Sequence, residues 1–148
     1  MHLDKARFAG VSDSVIDEIE ARIVSLGGVT LGNGLDQCME IPVTHRFAPG
    51  LYAREMVMPK FSIAVSKIHR TEHFYVVSSG KLAVFDGESW TVIVAPFTGT
   101  TKPGTRRVGI ALEDTVWTTF HPTELTDVLA IEEEIIEPHR NALMEVAA

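Results

Sequence analysis

Two histidines four residues apart, His69 and His73, stand where one alternating run ends and the next begins. The run before them, Phe61-Ser62-Ile63-Ala64-Val65-Ser66, alternates large apolar with small or polar residues, as a half-buried strand does. A period of two puts Phe61, Ile63, Val65, Lys67 and His69 on one face. The run that starts at His73 puts Tyr75 and Val77 on the same side as His73, so both histidines are expected to face one interior. A third arrives from far along the chain. If Arg107 to Leu112 and Thr115 to Phe120 form a hairpin about Glu113-Asp114, then Arg106 faces His121, Val108 faces Thr119 and Ile110 faces Trp117. His121 then shares one end of the sheet with Arg106 and Arg107. Three imidazoles, His69, His73 and His121, with coordination positions to spare suit Zn, Fe, Ni or Mn and leave room for water or substrate. The same three could instead be hydrogen-bonding walls of a metal-free polar pocket, or structural residues, and the sequence leaves these readings open.

The neighbours of the histidines set the rest of the chemistry. Lys67 shares the His69 face, where an ammonium beside a dication is repelled unless it is neutral or displaced. Glu72 is a candidate ligand or a partner that orients an imidazole, although alternation points it away from His73, towards the surface. If the protein is an enzyme, Lys67 and Glu72 are its candidate acid or base. Arg54 shares a strand face with Tyr52, Met56 and Met58; were that face internal, Arg54 would need an anionic partner or ligand. Alternation sends one of Arg106 and Arg107 inward and the other outward, and surface pairing with carboxylates accounts for either one. With Tyr75 and Trp117 as flat walls, these cations would suit a small anionic molecule: a carboxylate, a sugar phosphate or a nucleotide.

The elements that must position these groups are mostly short strands. A helix is expected over residues 14–26, with Val15, Ile19, Ile23 and Leu26 in one stripe, capped by Ser12, Asp13 or Ser14 and ended by Gly27-Gly28. Asn33-Gly34 marks a turn, and residues 44–49 read as a loop or edge strand in which His45 and Arg46 are solvated or capping. Strands follow at 51–58, 61–69 and 73–78, with Gly80 at a turn, and then at 81–85 and 90–95 around Asp86-Gly87. Residues 96–103, with Thr98-Gly99-Thr100-Thr101, read as a connector. A last helix spans 127–137, capped by Thr126 or Asp127 and stopped by Pro138. The reading is one domain over 1–148, comprising an N-terminal helix at 12–27, a β-barrel at 43–122 and a C-terminal helix at 126–137. The fold class is mainly β, a double-stranded β-helix or jelly roll with flanking helices.

Charge and composition exclude some functions. A net charge of -7 argues against broad binding to nucleic acid or to an anionic membrane surface. One cysteine, Cys38, allows no internal disulfide, which fits a reducing cytoplasm. The first residues lack the apolar run of a signal peptide, and no stretch approaches the ~20 apolar residues of a membrane span. A dimer through an edge strand or the N-terminal helix is the default assembly.

The stretch from Phe61 to Gly80 resembles the first motif of the cupin superfamily, a glycine, five residues, His-x-His, then Glu and Gly. His69 falls on its second histidine and Gly80 on its last glycine, while Phe61, Lys67 and His73 replace the first glycine, the first histidine and the glutamate. Lys102-Pro103-Gly104-Thr105-Arg106-Arg107 is similar to the second motif, with Gly104 on a glycine, Arg107 at the histidine and Ala111 at the asparagine. The resemblance covers roughly residues 51–122. A further resemblance, carried by His45 to Glu55, His69 to His73, Lys102 to Arg107 and Glu113 to His121, is to small cupin-like proteins encoded by tailed bacteriophages. The resemblance implies a barrel that binds a small molecule, metal-dependent in some members and metal-free with a histidine base in those acting on nucleotide-sugars. Members include isomerases, dioxygenases, epimerases and pure binders. The competing expectation is a non-enzymatic phage protein: a virion or assembly component, or a factor that sequesters a host signalling molecule in the bacterial cytoplasm.

Overall fold

In a computed structural model of the protein, residues 15–19, 21, 22 and 41–137 are described. Residues 15–19 and 21–22 are helical and are labelled α1. Nine strands follow: β1 (Val43–Ala48), β2 (Leu51–Met58), β3 (Ile63–Val65), β4 (His73–Ser79), β5 (Lys81–Phe85), β6 (Trp90–Val94), β7 (Phe97–Thr101), β8 (Val108–Ala111) and β9 (Thr115–Pro122). Helix α2 (Val128–Ile135) closes the described chain, with the Asp127 carboxylate accepting from the Leu129 N–H as its cap. Ser12 to Ser14, Ile23, Leu26, Gly27-Gly28, Asn33-Gly34, Cys38 and Pro138 lie outside the described residues.

All strand pairs are antiparallel. They form one sheet in the order β1-β2-β9-β4-β7 and a second in the order β3-β8-β5-β6. The pairs nest, β2 with β9, β3 with β8, β4 with β7 and β5 with β6, so the chain is a long hairpin wound into two facing sheets. This is a jelly roll with helices attached. The β5–β6 turn is its tip, where the Asp86 carboxylate accepts from the backbone N–H groups of Glu88 and Ser89, and Gly87 takes φ 101°.

Winding the hairpin separates neighbours in sequence. Strands β8 and β9 do not pair: β8 lies between β3 and β5, and β9 lies between β2 and β4. The expected hairpin about Glu113-Asp114, and with it the facing pairs Arg106–His121, Val108–Thr119 and Ile110–Trp117, is therefore wrong. Residues 97–101, read as a connector, form edge strand β7 on β4. Their inward position is Gly99, whose missing Cβ leaves room for the Tyr75 ring, so no apolar alternation marks the strand. The strand expected over 61–69 is only three residues long, and its parity is opposite to the expectation. Phe61 is 69% exposed with φ 69°, Ile63 faces outward, and Ala64 and Ser66 face the interior. Of residues 44–49, left between loop and edge strand, 44–48 belong to β1 and Pro49 lies in the turn that follows.

The core fills the space between the sheets with Met56, Met58, Tyr75, Val77, Leu82, Ile93 and Trp117 among others. On the outer face of the smaller sheet, Ile16 of α1 is fully buried against Val65 and Val108. Arg106 also points outward there and pairs with Asp17 of α1. Helix α2 covers an open end of the barrel, where Ile131 and Ile135 pack on Tyr52. Among the described residues, no helix is long and apolar enough to cross a membrane.

Candidate metal centre and anion pocket

Strand register alone lays out the floor and mouth of the barrel. On the inner face of the larger sheet, Tyr52 partners His121, and His121 lies one residue beyond the Phe74–Phe120 pair, beside His73, which partners Thr101. One step deeper come Arg54, Thr119, Tyr75 and Gly99. A further step in are Met56, Trp117, Val77 and Phe97. Steps of two residues along a strand are roughly 6.8 Å apart. The interior thus passes from a histidine layer, through a polar layer, to an apolar floor.

His69 comes from outside that sheet, on the segment between β3 and β4. Its backbone forms an isolated bridge with Ile136, the Arg70 N–H donates to the Ile135 carbonyl at 2.7 Å, and the Glu137 N–H donates to the Ile68 carbonyl at 2.8 Å. The end of α2 therefore positions His69. This is also why the last helix stops at Ile135, before Pro138: Ile136 and Glu137 are extended and paired with 68–69.

The three imidazoles meet. Ring centroids are 4.4 Å apart for His69–His73, 4.4 Å for His73–His121 and 5.0 Å for His69–His121, and one nitrogen from each lies within 4.8 Å of the others. His73 and His121 are buried, and His69 is half-buried. Burial foremost, then the charge of His73, Arg54 and Lys67, pushes His69 down to about 3. Burial, then His69, His73 and Arg54, pushes His121 down to about 3, and burial lowers His73. Neutral rings are the form that binds a metal.

The hydrogen bonds of the rings suit a metal donor set. His73 Nδ1 donates to the Thr71 carbonyl at 3.3 Å, which leaves Nε2 with the lone pair. His121 Nε2 shares a 2.9 Å hydrogen bond with Thr119 Oγ1, while its buried Nδ1 has no hydrogen-bond partner among the described residues. A buried nitrogen of this kind costs about 1–3 kcal/mol unless something satisfies it. A divalent ion between three neutral imidazoles would do so, and the residues present fit one.

The cavity below the histidines has a volume of about 70 Å³. On a scale where one water occupies roughly 10–15 Å³ of such volume, it holds about five waters or one small molecule. Of the residues expected from sequence, Arg54, Lys67, Arg107, Trp117 and the three histidines all line it. Lys67 Nζ donates to Glu132 Oε1 of α2 at 2.8 Å, which tethers the ammonium beside the histidines. Arg107 Nη1 donates to Thr101 Oγ1 at 2.9 Å, and its guanidinium carbon lies 5.5 Å from the Tyr75 ring centre. Three expected residues lie elsewhere. Tyr75 is not a wall but the support beneath Arg107, 5.5 Å from the Trp117 ring. Arg106 is on the outer face with Asp17. Glu72 is on the surface, where it accepts from Lys102 Nζ at 2.6 Å. His45 is not simply solvated: its Nδ1 shares a 2.6 Å hydrogen bond with the Tyr52 hydroxyl, while Arg46 pairs with Glu55 at 3.0 Å.

Sequence reasoning missed the contribution of α2. Ile131, Glu132, Ile135 and Ile136 wall the mouth, and Thr101 and Thr119 supply hydroxyls. The broad apolar face of the helix was legible, but not the surface that it covers.

No protein-family model matches the sequence, and no curated protein matches it. Several solved structures are similar in fold. A transcriptional regulator of the HTH_3 family from Vibrio cholerae matches over 59% of this chain and 53% of its own, with a TM-score of 0.50 and 16% identity. The chain thus spans about half of that regulator. A cupin superfamily protein from Desulfitobacterium hafniense matches over 57% of this chain and 78% of its own, with a TM-score of 0.49 and 3% identity. KdgF from Halomonas sp. matches over 57% and 80%, with a TM-score of 0.49 and 17% identity. Identities this low speak to fold alone. The chain is a mainly β jelly roll, proteins described as cupins are among its structural neighbours, and three of its histidines could hold a metal ion.

Proposed function

We propose that the barrel holds a divalent transition metal on His69, His73 and His121 and binds a small anionic molecule beside it. The observation that carries this is the meeting of three imidazoles from three separate segments, with nitrogens within 4.8 Å of one another and one nitrogen buried without a partner. Three neutral imidazoles suit Zn, Fe, Ni or Mn. Bound there, the ion would supply Lewis-acid polarisation of a ligand oxygen. The chain's own residues do the rest. Arg54 and Arg107 favour negative charge in the layer below the histidines, and α2 walls the mouth. Lys67, held by Glu132, is the group placed to give or take a proton near His69. Glu72, on the surface, is not part of this machinery.

The resemblance to phage-encoded proteins would place such a site in a bacterial host cytoplasm, where the same cavity serves an enzyme or a factor that sequesters a small acid. The test is the metal content of protein purified without a histidine tag, before and after incubation with Zn, Fe, Ni and Mn. Near-stoichiometric metal that is lost in the His69→Ala/His121→Ala double variant is expected. A native, folded protein that takes up none of the four ions sinks the metal reading.

A further inference from the structure

Among the described residues, Arg107 has no carboxylate within 4.0 Å, and Asp86 attracts it only from longer range. It is half-buried, lines the cavity, and spends one N–H on the neutral Thr101 hydroxyl. Its plane is held from behind by Tyr75. A guanidinium fixed in this way presents its remaining donors as a fork that matches the two oxygens of a carboxylate. The second unsatisfied group nearby is the Trp117 indole. Trp117 also lines the cavity, is 9% exposed, and its buried Nε1–H has no partner among the described residues. Indole N–H groups donate only, so the missing partner is an acceptor. The lining is mixed: Arg54, Thr101 and Thr119 stand in the polar layer, Met56 and Ala64 are apolar, and Ile131 and Ile135 add apolar surface at the mouth.

We infer that the ligand of this cavity is a short-chain carboxylic acid of about three or four carbons, bound as its carboxylate on Arg107 and accepting a further hydrogen bond from Trp117. The inference rests on the anion-site reading above and narrows it. Size decides against the other anions considered from sequence. A cavity of about 70 Å³, near five water volumes, takes a short acid but not a sugar phosphate or a nucleotide. Inorganic phosphate would fit by volume, but it offers the apolar wall nothing and loses more hydration on burial. Arg107 and Trp117 are thus specificity-determining residues, one for charge and one for an oxygen acceptor.

Calorimetric titration of the full chain tests this, with the protein both chelator-treated and zinc-loaded. The probes are butyrate, 2-oxobutyrate, the neutral isostere butyramide, inorganic phosphate and AMP. Butyrate or 2-oxobutyrate is expected to bind at least tenfold more tightly than butyramide, phosphate or AMP. Arg107→Gln is expected to weaken that acid at least tenfold, and Trp117→Phe several-fold, whereas Arg46→Gln on the surface leaves it unchanged. Circular dichroism and metal content of each variant establish that fold and metal site persist. Butyramide binding as tightly as butyrate, AMP or phosphate binding more tightly, or an unchanged Arg107→Gln variant would overturn the inference. Zinc uptake with no acid bound in either form overturns the carboxylate assignment and leaves the trihistidine reading standing. Acid binding without any metal uptake does the reverse.

Discussion

Gly99 should tolerate no side chain, and the reason links the edge of the larger sheet to the anion site. A Cβ added at Gly99 would stand 2.5 Å from Tyr75 Oη and 2.7 Å from Cε1, and closer still to Cζ. Ordinary contact begins near 3.4 Å, so ring or strand must shift by close to 1 Å. The ring has little room to do so, because Trp117 lies 5.5 Å and Phe97 6.0 Å from its centre and Arg107 rests over its face. Forcing one carbon into a packed core costs about 1–3 kcal/mol, and a confined ring belongs near the top of that range. Displacing the ring also removes a cation–π contact worth about 0.5–2 kcal/mol to the placement of Arg107. Gly99→Ala is therefore expected to destabilise the protein by about 2–3 kcal/mol, equivalent to roughly 5–10 °C in Tm for a chain of this size. Urea unfolding with a matched m-value is the assay. The double variant Gly99→Ala/Tyr75→Leu should show a coupling that recovers most of the alanine cost, since the smaller side chain vacates the ring position. A Gly99→Ala variant within about 0.5 kcal/mol of the parent, or no coupling with Tyr75, would refute this packing argument.

Two further outcomes follow from charges held inside the fold. The depressed values of His69 and His121, about 3 against 6.5 for the free side chain, mean that the unfolded chain binds more protons between those limits. Stability is fully present above pH 6.5 and is lost as pH falls towards 3; lowering pH from 7.5 to 5.5 should cost about 1.4 kcal/mol per histidine in metal-free protein. Equal urea midpoints at the two pH values would contradict the burial of neutral rings. Separately, Arg106 is almost wholly buried against Asp17, so Arg106→Ala should cost about 2–4 kcal/mol and loosen α1 while leaving metal uptake intact. Loss of metal without loss of stability in that variant would place Arg106 in the site after all.

How much of this could be read from the chain alone differs between its parts. Period-two alternation located β2, β4 and β9 closely, because each buries alternate residues, and the Asp86-Gly87 turn signal located β5 and β6 on either side of it. The parity of β4 was legible for the same reason: His73, Tyr75 and Val77 are its buried residues. Parity failed in β3, where both neighbouring faces are apolar. Ile63 and Val65 lie on the outer side, Val65 under α1, and the inward residue is the small Ala64. Strand β7 was invisible because Gly99 replaces the apolar residue that alternation requires. His121 was assigned to the histidine cluster by a hairpin that does not exist. It arrives instead through the pairing of β9 with β2 and β4, a contact across most of the wound chain.

The residue types and short-range spacing therefore determined a β-rich jelly roll, a His69–His73 pair at a strand junction, and the presence of one inward arginine among Arg106 and Arg107. Only the tertiary structure decided which arginine that is, that Arg106 serves α1, that Glu72 is at the surface, and that α2 covers the barrel mouth with Glu132 on Lys67. The physical reason is range. Alternation and turn chemistry act over a few residues, whereas the partner of a strand in a wound hairpin, and the face a helix covers, are set by closing loops that span tens of residues, on which local pattern carries no information.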